Sequence, residues 1–246
     1  MSDCPGKQQP ARLLKPRGSH PMENKPKDYI SAAGFDWLLP LYDPFLRWVV
    51  REDTFKQRLI TAAAIGPQHR VLDLGCGTGT LTLMIKNRHP DAKVHGLDGD
   101  AKALSIARRK AEAADVEIVL DKGFSYDLPY PDDAFDRVLS SLVFHHLTHK
   151  RKVESLHEVR RILKPGGALF IVDFGKPATA IGAALVKHVH HAEHIRDHIE
   201  GDLVEIIRSA GLVGAEEFGK QRILVASLSF YRASKELLRS KASVSH

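Results

Sequence analysis

Residues 71–79 read V-L-D-L-G-C-G-T-G and constrain this chain more than any other stretch. Two apolar residues lead into Asp73, and Gly75, Gly77 and Gly79 then alternate with small residues. Thr80 to His89 follows with a helical pattern. A strand, a glycine turn and a helix in this order form a cradle for an adenosine-type ligand. Glycines there let backbone approach the ligand closely and adopt positive φ, which side chains forbid. Asp73 ends the strand, where its carboxylate can reach toward a cationic ammonium.

Spacing separates two ligand classes. Dinucleotide enzymes use G-x-G-x-x-G and seat pyrophosphate at a helix N-terminus. Here the register is D-x-G-x-G-x-G, with an acid where pyrophosphate would be repelled. That charge suits the cationic methionine end of S-adenosylmethionine. The nonapeptide closely resembles motif I of the class I S-adenosylmethionine-dependent methyltransferases. The resemblance implies S-adenosylmethionine as cofactor, S-adenosylhomocysteine as product, and Asp73, Gly75, Cys76, Gly77 and Gly79 at the cofactor. A strand-turn-helix without ligand, and a nicotinamide or flavin site, are the competing readings; the later motifs weigh against both.

At 246 residues the chain suits one domain with decorations. Its two cysteines are Cys4, in a tail, and Cys76, inside the glycine turn. A disulfide is therefore not expected, and the reducing cytoplasm is the expected setting. No apolar run approaches the roughly 18 residues of a membrane span, and no apolar signal segment opens the chain.

The net charge of +6 is unevenly placed. Residues 1–28 and 232–246 carry +3 each, so the body from 29 to 231 is neutral. Nucleic-acid enzymes usually present a basic face on the folded body. The expected substrate is accordingly a small molecule, with no nucleic acid on the body. The tails read as solvated, with weak contact to anionic membrane surfaces as a secondary role. Residues 1–28 hold Pro5, Pro10, Pro16, Pro21 and Pro26 with few apolar residues, the composition of a disordered segment. Within it, Pro16-Arg17-Gly18-Ser19-His20 resembles the junction left by an expression tag.

From residue 29 the character changes. Residues 34–45 are aromatic and apolar, and Val49, Val50, Phe55, Leu59, Ile60 and Ala63 continue at helical spacing. The string F-D-W-x-x-x-x-Y-D, residues 35–43, resembles the start of the ubiquinone/menaquinone-type and related small-molecule methyltransferases, the type 11 branch. The resemblance implies that 29–66 is a helical cap roofing the active site, with Tyr42 over the methyl donor in the substrate pocket. Trp37 and Trp48 read better as core.

Lys93 to Asp98 reads as a second strand ending in an acid about 20 residues beyond the glycines, where an acid accepts from both ribose hydroxyls. A helix N-cap is the other use of such an acid. Asp100 fits the cap before Ala101–Ala114, which leaves Asp98, with Gly99, for ribose. Val116 to Asp121 is the third strand. The segment 123–136 resembles the family's G-D-A-x-x-L-P-F-x-D-x-x-F-D, with one departure. The family usually has an acid after Gly123 to accept from the adenine amine, and Phe124 stands there. Adenine can pack on that ring, its amine then taking a backbone carbonyl or Asp127.

Phe135 to Leu142 is the fourth strand, and its carboxyl edge opens onto the ligand crevice. Ser140 and Ser141 border the methionine moiety through backbone groups. His145 and His146 follow, and His-His-Leu at this place also resembles the small-molecule methyltransferases. Either ring can accept a proton from a substrate hydroxyl or amine, and His145 is also assigned to the substrate pocket. Pocket-lining rings bonded to backbone are the structural alternative. Lys150–Leu163 is an amphipathic helix, Lys164–Gly167 a tight turn, and Ala168–Phe174 the fifth strand.

The insert 176–200 holds His188, His190, His191, His194 and His198. His190, His194 and His198 share a helical face, but their end rings would sit about 12 Å apart, too far for one ion. No metal is expected. Gly201–Ala210 is a helix, and Val213–Phe218 pairs with Arg222–Phe230 across Gly219-Lys220 as a hairpin.

The resemblance thus implies an α/β, Rossmann-like three-layer sandwich. Its seven-stranded sheet is mostly parallel and closes on a C-terminal antiparallel hairpin. The expected reaction is methyl transfer to a small, apolar or aromatic metabolite. A protein or nucleic-acid methyltransferase, and a non-catalytic S-adenosylmethionine-binding protein, are the alternatives. S-S-L-V stands where the base-methylating N/D-P-P-[YFW] tetrapeptide would follow the fourth strand. The altered Phe124 position favours the binder.

Overall fold

A computed structural model describes residues 52–175, 203–222 and 227–236. Five helices and seven strands occur among them. They run in the order α1 (Glu52–Ala62), β1 (Arg70–Leu74), α2 (Thr80–Arg88), β2 (Lys93–Asp98), α3 (Ala101–Ala113), β3 (Val119–Lys122), β4 (Phe135–Ser141), α4 (His149–Ile162), β5 (Leu163–Phe174), α5 (Leu203–Ser209), β6 (Val213–Arg222) and β7 (Ser227–Ser234). A short 3-10 turn, Phe144–His146, lies between β4 and α4. The tail 1–28, most of the expected cap with Tyr42, the histidine-rich insert 176–200 and residues 237–246 lie outside the described residues, while β7 runs to Ser234, three residues into the stretch 232–246 read as a tail.

The strands form one sheet in the order β3-β2-β1-β4-β5-β7-β6. β1 to β5 are mutually parallel, and β7 pairs antiparallel with both β5 and β6. Strand periodicity divides the core into two layers, because successive side chains point to opposite faces. Leu72, Leu74, Val138, Leu169 and Ile171 face a cluster with Leu156, Val159 and Ile162 of α4 and Leu203, Ile206 and Ile207 of α5. Their neighbours Val71, Leu139, Phe170 and Val172 face the other cluster, with Phe55, Leu59 and Ile60 of α1 and Leu81 and Ile85 of α2. The result is the three-layer sandwich and mixed sheet that the sequence implied.

Three local readings differ. β3 begins at Val119 rather than Val116. α4 passes directly into β5 at Leu163, so Lys164–Gly167 lies within β5 instead of forming a separate turn. The β4–β5 register slips between Phe135 and Arg137 to absorb those residues, and Gly166 takes φ +77° there. The hairpin does not turn at Gly219-Lys220: Gly219 faces Phe230 and Lys220 faces Ser229 in the ladder. The connection falls at 223–226, outside the described residues. Gly-Lys reads as a turn locally, but pairing along the whole ladder outweighs a weak turn signal.

Strand order reverses between β1 and β4, since β1 has β2 on one side and β4 on the other. In open α/β sheets the ligand crevice lies at such a switch, outside the carboxyl ends of the strands. The glycine turn follows β1 and the histidine pair follows β4, so both flank this point.

Candidate active site

Asp73 sits near the end of β1 and is 1% exposed. The Thr82 hydroxyl of α2 donates to its Oδ2 at 2.6 Å. Burial pushes the Asp73 carboxyl up to about 6, with Thr82 and Lys56 opposing and Asp98 adding to the rise. Beyond it the turn is pinned to β2: the amides of Gly75 and Cys76 both donate to the Leu97 carbonyl, at 2.8 and 3.0 Å. Two of the glycines do different work. A Cβ on Gly75 would lie 2.4 Å from Cγ2 of Val143, so glycine is what lets the loop after β4 close on the turn. At Gly77, half-buried, φ is +52° and a Cβ would meet nothing within 4 Å, which places open space against the backbone. Gly75→Ala is expected to destabilise the fold by about 1–3 kcal/mol, the cost of overpacking, compounded by φ +74°. A thermal-unfolding midpoint unchanged from wild type would contradict that packing. Cys76 is buried, and burial beside Asp73 and Asp98 pushes its thiol well up, so it stays protonated.

Asp98 ends β2, half-buried, with backbone amides on both carboxylate oxygens. Gly77 N–H donates to Oδ2 and Asp100 N–H to Oδ1, both at 2.8 Å. Burial raises this carboxyl, while the amides of Asp100, Gly77 and Gly99 hold it down. Asp100 caps α3 by accepting from Lys102 N–H at 2.8 Å, as the sequence led us to expect. Gly123 N–H donates to the Asp98 backbone carbonyl at 3.0 Å, which brings Phe124 to the same edge. Phe124 is buried and stacks on Tyr126, ring centroids 5.3 Å apart and 4° from parallel. Arg151 lies 3.8 Å over the Tyr126 ring. The Phe124 carbonyl accepts from Asp127 N–H at 3.1 Å, and Asp127 itself is exposed.

At the end of β4, Ser140 is fully buried and its hydroxyl donates to the Leu74 carbonyl at 3.0 Å. Ser141 Oγ is buried and has no hydrogen-bond partner among the described residues. Leu142 follows at φ +58°, a costly backbone for a branched residue. That left-handed residue turns the chain so that Val143 meets Gly75 and Phe144–His146 wraps over the end of β5. Asp173, fully buried on β5, secures the wrap. Its Oδ2 accepts from Phe144 N–H at 2.8 Å and His145 N–H at 3.3 Å, and its Oδ1 from Phe174 N–H at 2.7 Å. His145 Nδ1 lies 2.8 Å from the same Oδ1. The His146 ring stands 3.9 Å from that of His145. Burial lowers His146 to about 4, with His145 adding to the fall, so His146 is neutral at physiological pH.

The structure thus gathers Asp73, the glycine turn, Asp98, Gly99, Gly123, Phe124, Ser140, Ser141, His145 and His146 at one sheet edge. Tyr42 lies outside the described residues. Sequence reasoning missed Asp173, Thr82 and Val143. An acid closing the apolar run A-L-F-I-V-D-F carries the same signal that singled out Asp98, and it could have flagged Asp173.

The family described as "Methyltransferase domain" matches residues 71–167, which span β1 through the start of β5. Demethylmenaquinone methyltransferase of Thermus thermophilus is 39% identical over 132 residues, 54% of this chain and 56% of the relative. The ubiquinone/menaquinone biosynthesis C-methyltransferase UbiE of Bordetella avium is 30% identical over 185 residues, 67% of this chain and 72% of the relative. The crystal structure of YcgJ from Bacillus subtilis superposes with a TM-score of 0.61 at 19% identity, covering 74% of this chain and 98% of that one; it shows the shared fold. The chain belongs to the class I S-adenosylmethionine-dependent methyltransferases. It spans about half the length of the demethylmenaquinone methyltransferases it matches, 56%, 48% and 45% in three of them.

Proposed function

We propose that this chain transfers a methyl group from S-adenosylmethionine to a small, apolar or aromatic metabolite. The observation that carries the reading is Asp98. Its carboxylate ends β2 beside the switch point with backbone amides on both oxygens, and the acceptor sites of a carboxylate, about four in all, extend to a ribose diol. The rest of the edge fits the same group. Open space lies against Gly77 for a close ligand, Ser141 Oγ is a buried polar atom short of a partner, and Asp73 offers charge to an ammonium. Phe124 offers a ring to adenine, and Cys76, Gly79, Gly99, Gly123 and Ser140 shape the backbone around it. Tyr42 is assigned to the roof on the sequence resemblance.

When bound, S-adenosylmethionine supplies an electrophilic methyl on a sulfonium and leaves as S-adenosylhomocysteine. The protein's part is alignment and exclusion of water. Holding an acceptor atom about 3 Å from the methyl carbon in line supplies much of the acceleration. The neutral body between the basic tails supports a small acceptor over nucleic acid, and the likeness to methyltransferases of demethylmenaquinone and of ubiquinone/menaquinone biosynthesis supports a quinone-related ring. The buried free thiol of Cys76 suits a reducing, cytoplasmic setting. No helix among the described residues is long and apolar enough to cross a membrane.

Isothermal calorimetry with S-adenosylmethionine and S-adenosylhomocysteine tests the core of the proposal. Saturable 1:1 binding is expected, and folded protein that binds neither sinks it. Formation of S-adenosylhomocysteine across a panel of hydroxylated aromatics then separates an enzyme from a non-catalytic binder.

A further inference from the structure

Within the proposed methyl transfer, on which this inference rests, we propose that His145 is the base that takes the acceptor's hydroxyl proton, and that Asp173 positions it. The acceptor is therefore a hydroxyl-bearing ring.

The argument starts from Asp173. A fully buried carboxylate is costly unless its lone pairs are satisfied. Here three backbone N–H groups, of Phe144, His145 and Phe174, converge on it at 2.7 to 3.3 Å. Donors of this kind favour the ionised form. An ionised carboxylate only accepts, so the 2.8 Å contact with His145 Nδ1 makes that nitrogen the donor. The tautomer follows: Nδ1 carries the hydrogen and Nε2 the lone pair. Orienting a histidine this way, and stabilising the imidazolium it becomes, is the part an acid plays in a Ser-His-Asp triad.

The surroundings favour His145 over its neighbour. The titratable groups in contact with the His145 ring include Asp173 on β5 and His146 in the same 3-10 turn. Among the described residues no carboxylate is paired with the His146 ring, and burial beside His145 opposes its protonation more than Asp173 favours it. Phe174 packs its ring 4.8 Å from His145, edge to face, and holds it from the β5 side. The loop that carries His145 also bears Val143, which touches Gly75 of the glycine turn. Donor cradle and base are therefore parts of one packed unit.

The step balances. The hydroxyl proton moves to Nε2. The electron pair left on oxygen forms the new bond to carbon, while the pair of the carbon–sulfur bond stays on sulfur. A sulfonium is neutralised as an imidazolium appears. If the pair is relayed through the ring to a carbon, the imidazolium returns its proton to oxygen and the carbon's own proton goes to solvent.

Two measurements test this. Long-range ¹H–¹⁵N spectra of the ligand-free protein read the tautomer directly. The Nδ1–H form is expected for neutral His145, and an Nε2–H form overturns the proposal. In turnover on 1,4-dihydroxynaphthalene and catechols, His145→Gln should lower kcat by ~10²–10⁴-fold with donor affinity within about twofold of wild type. The rising acid limb of the kcat–pH profile should disappear. A loss under threefold with the limb intact refutes it. His146→Gln should keep the limb. Asp173→Asn should scramble the His145 tautomer; if that variant does not fold, the spectra and His145→Gln still decide. A wild-type protein that binds donor but turns over no hydroxylated ring rejects the acceptor class, while the spectra still decide the pairing.

Discussion

Replacing Asp98 with alanine should weaken S-adenosylmethionine binding by ~10²–10⁴-fold. Hydrogen bonds to a charged group contribute about 1.5–3 kcal/mol each, and a carboxylate facing a diol makes two. Together they come to roughly 3–6 kcal/mol, with each 1.4 kcal/mol a factor of ten. The substitution also strips the acceptor from the amides of Gly77 and Asp100, so part of its effect is loosening of the turn. Asp98→Asn separates the two contributions. It keeps one acceptor oxygen but sets an amide donor against one of those N–H groups, so it should be nearly as damaging. Ligand variation gives the cleaner control: 2′- and 3′-deoxy analogues of S-adenosylhomocysteine should bind weakly to wild type and lose little more on Asp98→Ala. Calorimetry that finds the alanine variant within threefold of wild type removes Asp98 from the ribose.

The second large effect is on pH. An unfolded aspartate ionises near 3.9, and folded Asp73 at about 6 because of burial. Raising pH through that window therefore charges the unfolded chain first, and the folded protein loses up to roughly 3 kcal/mol of stability across it. Above 6 the loss is complete and constant. A cationic ammonium reverses the preference, because it binds the ionised carboxylate. Donor affinity should thus rise with pH, by about tenfold from pH 5 to 7.5, and level off. Asp73→Asn should flatten that dependence and weaken binding about 10- to 100-fold at pH 7.5. Titrations giving equal slopes for wild type and variant would place the ammonium elsewhere.

Much of the sheet edge at the switch point was legible in sequence. Asp98 could be proposed for ribose because Asp100, two residues on, explained the α3 cap. The glycine string was readable for a similar reason, since every group it needs lies within a strand, a turn and the first turn of a helix. Phe124 was noticed as a departure, but its stacking on Tyr126 beneath Arg151 was not foreseen, because the Arg151 contact crosses 25 positions of chain. The hairpin was anticipated and its turn misplaced, since one glycine-lysine pair is a weaker determinant than a full ladder.

The sequence by itself determined the class of fold, the glycine turn after β1 and the acid at the end of β2. These depend on alternation, turn chemistry and capping, which act over a few residues and leave a local trace. Only the tertiary structure decided which histidine carries a partner and what that partner is. Asp173 and His145 lie 28 positions apart. They meet because β5 pairs alongside β4 while the left-handed Leu142 folds the following turn back over its end. An acid closing an apolar run can be noticed locally, but a pairing made by sheet register leaves neither residue's neighbourhood to name the other. Asp173 therefore looked like one more residue of an apolar strand until the sheet brought it to the ring.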